Sequence, residues 1–193
     1  MAILRAFFVI GISLFFLSCV QYIAGKKNSM ELNKQKDPGV SFFLRSSAFM
    51  NDTYIPKKYT CDGENVSPDL FWGDFPPGTQ SFVIIMEDPD APFGLFVHWI
   101  VYDIPYYVTS LREGLPKLSV VDGTIKQGLN DFGKIGYDGP CPPRGMPHRY
   151  FIRIYALDIP TLGLPPGATK EDVRYAMEGH ILAQTYLMGR YGR

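Results

Sequence analysis

Five consecutive apolar residues, Phe82-Val83-Ile84-Ile85-Met86, occupy both alternating sets of a strand-like run at positions 81–87. Successive side chains of a strand point to opposite faces, so a run that is apolar at every position needs cover on both sides. It belongs at the centre of a sheet, between two packing layers. Further runs of strand character lie at 41–45, 97–103 and 150–157, and the segment starting at Tyr150 is expected beside the central strand. With 16 prolines and 19 glycines interrupting these runs, tight turns between antiparallel strands are favoured over long helices. The pattern predicts a single, mainly β domain.

One helix is predicted, over residues 170–188. Thr169 and Asp172 make a capping-box-like start, and Gly189 suits the far end. At the helical period Val173, Ala176, Met177, His180, Gln184, Leu187, Met188 and Tyr191 share one face. Gly179, inside this helix, costs about 1 kcal/mol against alanine, which implies close packing on the sheet. His180 falls in the middle of the stripe and is expected as a hydrogen-bonded core histidine rather than a ligand.

The first 18 residues have the organisation of an export signal: Arg5 supplies a positive start, and an apolar run from Ala6 to Leu17 is broken only by Gly11 and Ser13. This run is short of the roughly 20 residues a spanning helix needs. Ser18-Cys19 follows directly and resembles the lipobox of bacterial lipoproteins, with Phe16 where that pattern prefers leucine. Cys19 is therefore expected to be lipidated and to anchor an exported protein to a membrane, with an ordinary cleaved secretory signal and a soluble secreted or periplasmic protein as the alternative. The polar, lysine-rich stretch up to residue 40 is expected to be a flexible tether to a domain spanning 41–193. The charges balance at 19 basic and 19 acidic, and losing Arg5 leaves the basic side one short. No field gathers nucleic acid, and that partner class is excluded. With Cys19 lipidated, Cys61 and Cys141 form an even pair in an oxidising setting, which favours a disulfide over two unrelated buried thiols.

Two segments carry the functional signal. Asp88-Pro89-Asp90-Ala91-Pro92 is followed by His98-Trp99, and Gly139-Pro140-Cys141-Pro142-Pro143 by His148-Arg149-Tyr150. Each sets a proline-stiffened loop beside a histidine at the edge of an apolar strand, as a small rigid-walled pocket requires. Two of the chain's three histidines sit in these segments.

At these residues the chain closely resembles the phosphatidylethanolamine-binding protein family, also known as the Raf kinase inhibitor protein family, in particular its bacterial branch. That branch is further matched at Tyr59-Thr60-Cys61-Asp62-Gly63-Glu64-Asn65-Val66-Ser67-Pro68, at Asn130-Asp131-Phe132-Gly133 and over Ala176 to Ala183, so the similarity runs from about residue 41 to 190. The resemblance implies a central antiparallel sheet packed with a second, smaller sheet, peripheral helices and a C-terminal helix. It also implies one anion pocket lined by Asp88, His98, Gly139, Pro142, His148 and Tyr150, with Asp90 close by. Family pockets take phosphate, acetate-like anions and phosphoethanolamine, and members bind phosphorylated or lipid ligands or inhibit kinases or serine proteases. No metal or cofactor is implied. Cys61 and Cys141 fall where exported bacterial members tend to carry a cysteine pair.

The residue chemistry is compatible with that assignment. Two imidazole N–H groups, a tyrosine hydroxyl and backbone N–H groups near Gly139 can converge on a tetrahedral anion. Asp88 would repel a bare phosphate, so it is expected to orient a histidine or to accept from a ligand ammonium. Arg149 either adds charge or forms a surface salt bridge. Anion affinity should then rise as pH falls through the histidine range near about 6.5.

Catalytic readings fit these residues less well. Asp88, Asp90, His98 and His148 include the ligand types of a two-histidine, one-carboxylate metal site, but no His-x-His or His-x-x-x-His spacing supports one. Cys141 with His148 makes a nucleophile and base only if no disulfide silences the thiol. No Gly-x-Ser-x-Gly elbow or phosphate loop occurs. Asp131-Phe132-Gly133 is expected as a turn rather than a kinase motif, because the His-Arg dipeptide lies downstream and is followed by Tyr150 instead of aspartate. A binding protein is favoured over an enzyme, with inhibition of a partner through the surface as an alternative; no sequence feature names the partner.

Overall fold

The computed structural model describes residues 42–193; the expected signal peptide, Cys19 and tether lie outside them. Ten strands follow in order: β1 (Phe43–Arg45), β2 (Thr53–Tyr54), β3 (Leu70–Gly73), β4 (Ser81–Asp88), β5 (Phe96–Pro105), β6 (Ser110–Leu111), β7 (Val120–Val121), β8 (Ile125–Gln127), β9 (His148–Leu157) and β10 (Ile181–Tyr191). A 3-10 turn at Lys57–Tyr59 and one α-helix, α1 (Lys170–Met177), complete the elements. The large sheet runs β2-β10-β9-β4-β5-β8-β7 and the small one β1-β3-β6. All pairings are antiparallel except that of β2 with β10.

β4 is the central strand its composition demands, paired with β5 on one side and β9 on the other. Phe82, Ile84 and Met86 join Leu44, Leu70 and Trp72 of the small sheet in the core between the sheets. Val83 and Ile85 point the other way, into a second core closed by Val173 and Met177 of α1. One strand thus anchors both cores. Lys170, at the start of the helix, reaches the buried Glu87 carboxylate at 2.7 Å and ties α1 to the same strand.

The terminal segment departs from the expected helix. The capping box at Thr169 and Asp172 forms as the sequence indicates, but the helix stops at Met177. Gly179 then adopts φ +81°, and residues 181–191 run back as β10, paired along β9. Eleven residues beside an open strand edge find a full ladder there, and this tertiary pairing outweighs the helical propensity of Leu182, Ala183 and Gln184. The C-terminal helix is therefore a strand, and among the described residues the expected peripheral helices reduce to α1 and one 3-10 turn. His180 is not a core residue: its side chain is 43% exposed and its Nδ1 meets Asp158 Oδ1 at 2.8 Å.

Candidate functional site

The site forms where β4, β5 and β9 end on one edge of the large sheet. Asp88 closes β4, and its Oδ1 accepts the Asp90 N–H at 2.8 Å, a side-chain turn that the flanking Pro89 and Pro92 hold in place. On β5 the register slips: Met86 faces Trp99 and Glu87 faces Val97, so His98 has no partner on β4. This bulge turns the His98 ring out of the regular alternation, and the Val97 N–H, held by Asp131 Oδ2 at 2.7 Å, fixes it from the neighbouring turn. His148 and Tyr150, at the start of β9, are two residues apart and share one face.

Asp88, His98, Pro142, His148 and Tyr150 line one pocket of about 390 Å³. His148 donates its Nδ1–H to Asp88 Oδ2 at 2.8 Å, which orients the ring. His98 donates Nδ1–H to the Asp138 carbonyl at 2.7 Å, and burial pushes its pKa down. At neutral pH His98 is therefore an uncharged imidazole whose Nε2 is a lone-pair acceptor. The Asp138 backbone is itself well anchored: burial raises its carboxyl, but bonds from Asn65, Lys117 and Asn130 outweigh that and hold it below the ordinary range. Tyr150 is fully buried, and its hydroxyl has no hydrogen-bond partner among the described residues. Burial, the negative charge of Asp88 and a polar contact with that carboxylate push the phenol pKa up, so it stays a donor; the contact itself falls outside hydrogen-bond geometry.

Two expected residues stand apart from this pocket. Asp90 turns away and accepts from the backbone N–H, Nε and Nη2 of Arg149 at 2.9, 2.9 and 2.7 Å. Its carboxyl is held down at about 2, chiefly by those bonds. Gly139 donates its N–H to Asn65 Oδ1 at 2.7 Å, so this backbone group is not free to meet an anion. Its glycine requirement is steric: a Cβ would sit 2.0 Å from the Tyr59 carbonyl oxygen. Arg149 takes the salt-bridge role of the two open to it.

Cys61 and Cys141 are joined in a disulfide with Cα atoms 5.4 Å apart, which removes the Cys141 thiol as a nucleophile. The Cys61 N–H also donates to the Pro140 carbonyl at 3.1 Å, pinning the proline-rich wall. Among the described residues no three His, Cys, Asp or Glu side chains are grouped to hold a metal.

Sequence reasoning missed the aromatic collar. Phe96 and Phe132 lie against His98 with ring centroids at 5.2 and 5.5 Å, and Phe93, fully exposed, forms part of the mouth. Asp131-Phe132-Gly133 is a turn as expected, yet it also supplies a pocket wall. The available signal was the proximity of this turn to the motif residues in the matched set.

The profile of the family described as "Phosphatidylethanolamine-binding protein" matches residues 45–192. A UPF0098 protein of Aquifex aeolicus is 56% identical over 149 residues, covering 77% of this chain and 86% of that protein. A UPF0098 protein of Methanothermobacter thermautotrophicus is 50% identical over 151 residues, covering 78% and 98%. Among solved structures, a protein of Chlamydia trachomatis described as a phosphatidylethanolamine-binding protein homologue, CT736, superposes with TM-score 0.72 at 43% identity, over 80% of this chain and 99% of that one. YbcL of E. coli, described as a new member of the mammalian PEBP family, gives TM-score 0.72 at 30% identity, over 79% and 98%. The chain belongs to the phosphatidylethanolamine-binding protein family.

Proposed function

We propose that the pocket binds one small anionic or phosphorylated ligand, such as phosphate or a phosphoethanolamine head group, without chemistry, and that the protein acts outside the cytoplasm on a lipid anchor at Cys19. The observation that carries the ligand reading is the Tyr150 hydroxyl, buried at the pocket without a partner. Such an orphan is worth roughly 1–3 kcal/mol of lost stability, which a ligand oxygen accepting from it removes. The only other such atom among the described residues, Trp72 Nε1, lies in the core between the sheets.

The remaining groups fit a singly charged phosphate monoester. Neutral His98 offers Nε2 to the ligand's P–OH, while His148 stays oriented by its Nδ1–H on Asp88 and presents its other ring nitrogen to the pocket. A dianion lacks the hydrogen for His98 and adds repulsion against Asp88. Phosphate-monoester protonation increases as pH falls from about 7.5 to about 5.5, so binding of the monoanion should tighten on acidification. The depressed pKa of His98 keeps it an acceptor as the ligand takes up its proton. Export is supported by the disulfide, since such bonds persist in oxidising compartments.

Titration calorimetry with inorganic phosphate and with phosphoethanolamine at these two pH values should show affinity higher by about tenfold at the lower one. Equal affinities overturn this ligand chemistry. A hydrolase screen that finds turnover abolished by His148→Ala would assign catalysis to the pocket instead.

A further inference from the structure

We infer, resting on the ligand reading above, that the ligand carries a second anionic group, received by a basic groove on the far side of His148. This groove, of about 360 Å³, shares Pro143 and His148 with the pocket, so the two adjoin at the imidazole. The two chambers differ in sign. The pocket contains the carboxylates of Asp88 and Asp131, whereas the groove brings together the guanidiniums of Arg144, Arg149 and Arg190 against the single carboxylate of Asp90.

The arginines are not equivalent. Arg149 is clamped on Asp90 and Arg190 on Asp52, at 2.7 and 2.6 Å. Arg144 alone of the three has no ion-pair partner among the described residues. Its side chain is exposed, on a short segment between two anchored points. The disulfide at Cys141, Pro142 and Pro143 precede it, and Pro147, which packs against Gly192, follows. An unpaired, exposed charge there, beside a pocket too negative for a second anion, suits a phosphomonoester bearing a carboxylate or second phosphate one short linker away.

O-phosphoserine and O-phosphoethanolamine test this, because they share phosphate and ammonium and differ by one carboxylate. In calorimetry at low ionic strength phosphoserine should bind about fivefold tighter, as one exposed charge-assisted contact provides, and the gap should narrow in high salt. Arg144→Ala should close the gap, Arg144→Lys should retain most of it, and Arg144→Glu should reverse it. Equal affinities in the unaltered protein, or a gap that survives Arg144→Ala, overturn the inference. Failure of both probes to bind overturns the pocket's ligand reading and this one with it, an outcome the phosphoethanolamine arm identifies by itself.

Discussion

Around Tyr150 nearly every polar group is committed before a ligand arrives. Asp88 is bonded to His148 and to the Asp90 N–H, His98 to Asp138, and Asp90 to Arg149. The uncommitted hydroxyl is therefore the residue at which folding and binding make opposite demands. Tyr150→Phe should raise the stability of the unliganded protein by about 1 kcal/mol, or about 2–4 °C in Tm for a domain of this size, and weaken phosphate binding by about tenfold. Thermal unfolding and calorimetry on the same preparation check both halves; a variant less stable than the parent would mean that the hydroxyl is satisfied in solution. The residue types at the site were legible in the sequence, but their hydrogen-bond roles were not. Nothing in Gly139-Pro140-Cys141 tells that the glycine N–H goes to Asn65, 74 positions away in the chain, or that Asp90 turns from the pocket to Arg149. Such commitments depend on long-range partners, which spacing along a chain does not encode.

Among the elements, the strands with strong patterns were readable and the ambiguous one was not. Five apolar residues in a row placed β4 at the sheet centre with both cores assigned, and β9 lies beside it as expected. The bulge that turns His98 toward the site left no trace in composition. Residues 181–191 satisfy helical and strand periods alike, and only the unpaired edge of β9 decides between them. Gly179 separates the two outcomes experimentally. In a helix interior, Gly179→Ala would stabilise by about 1 kcal/mol, whereas at the observed φ of +81° it forces a side chain into the left-handed region and should destabilise by about 1 kcal/mol. Chemical denaturation of the two proteins reads the sign directly. No atom lies within 4 Å of the added Cβ, so crowding contributes nothing and the sign reports backbone conformation alone.

Across the whole molecule, the disulfide links two segments 80 positions apart, the turn after Lys57–Tyr59 and the proline-rich pocket wall. Closing a loop of that length restricts the unfolded chain by an amount worth up to about 4.5 kcal/mol in the chain-entropy account. In the folded protein the same two segments are also joined without it. The Tyr137 hydroxyl donates to the Tyr59 carbonyl at 2.6 Å, and the Cys61 N–H reaches Pro140. Gly139 lies so close under Tyr59 that no side chain fits between them. Removing the bond should therefore act on the unfolded ensemble far more than on the pocket. A Cys61→Ser, Cys141→Ser double variant should lose about 2–4 kcal/mol of unfolding free energy in denaturant titration while its phosphate affinity, measured well below its midpoint, stays within about twofold of the parent. Loss of binding under conditions where the variant remains folded would show the reverse: that the covalent link, not the Tyr59–Gly139 contact, sets the position of Pro142 against the two imidazoles.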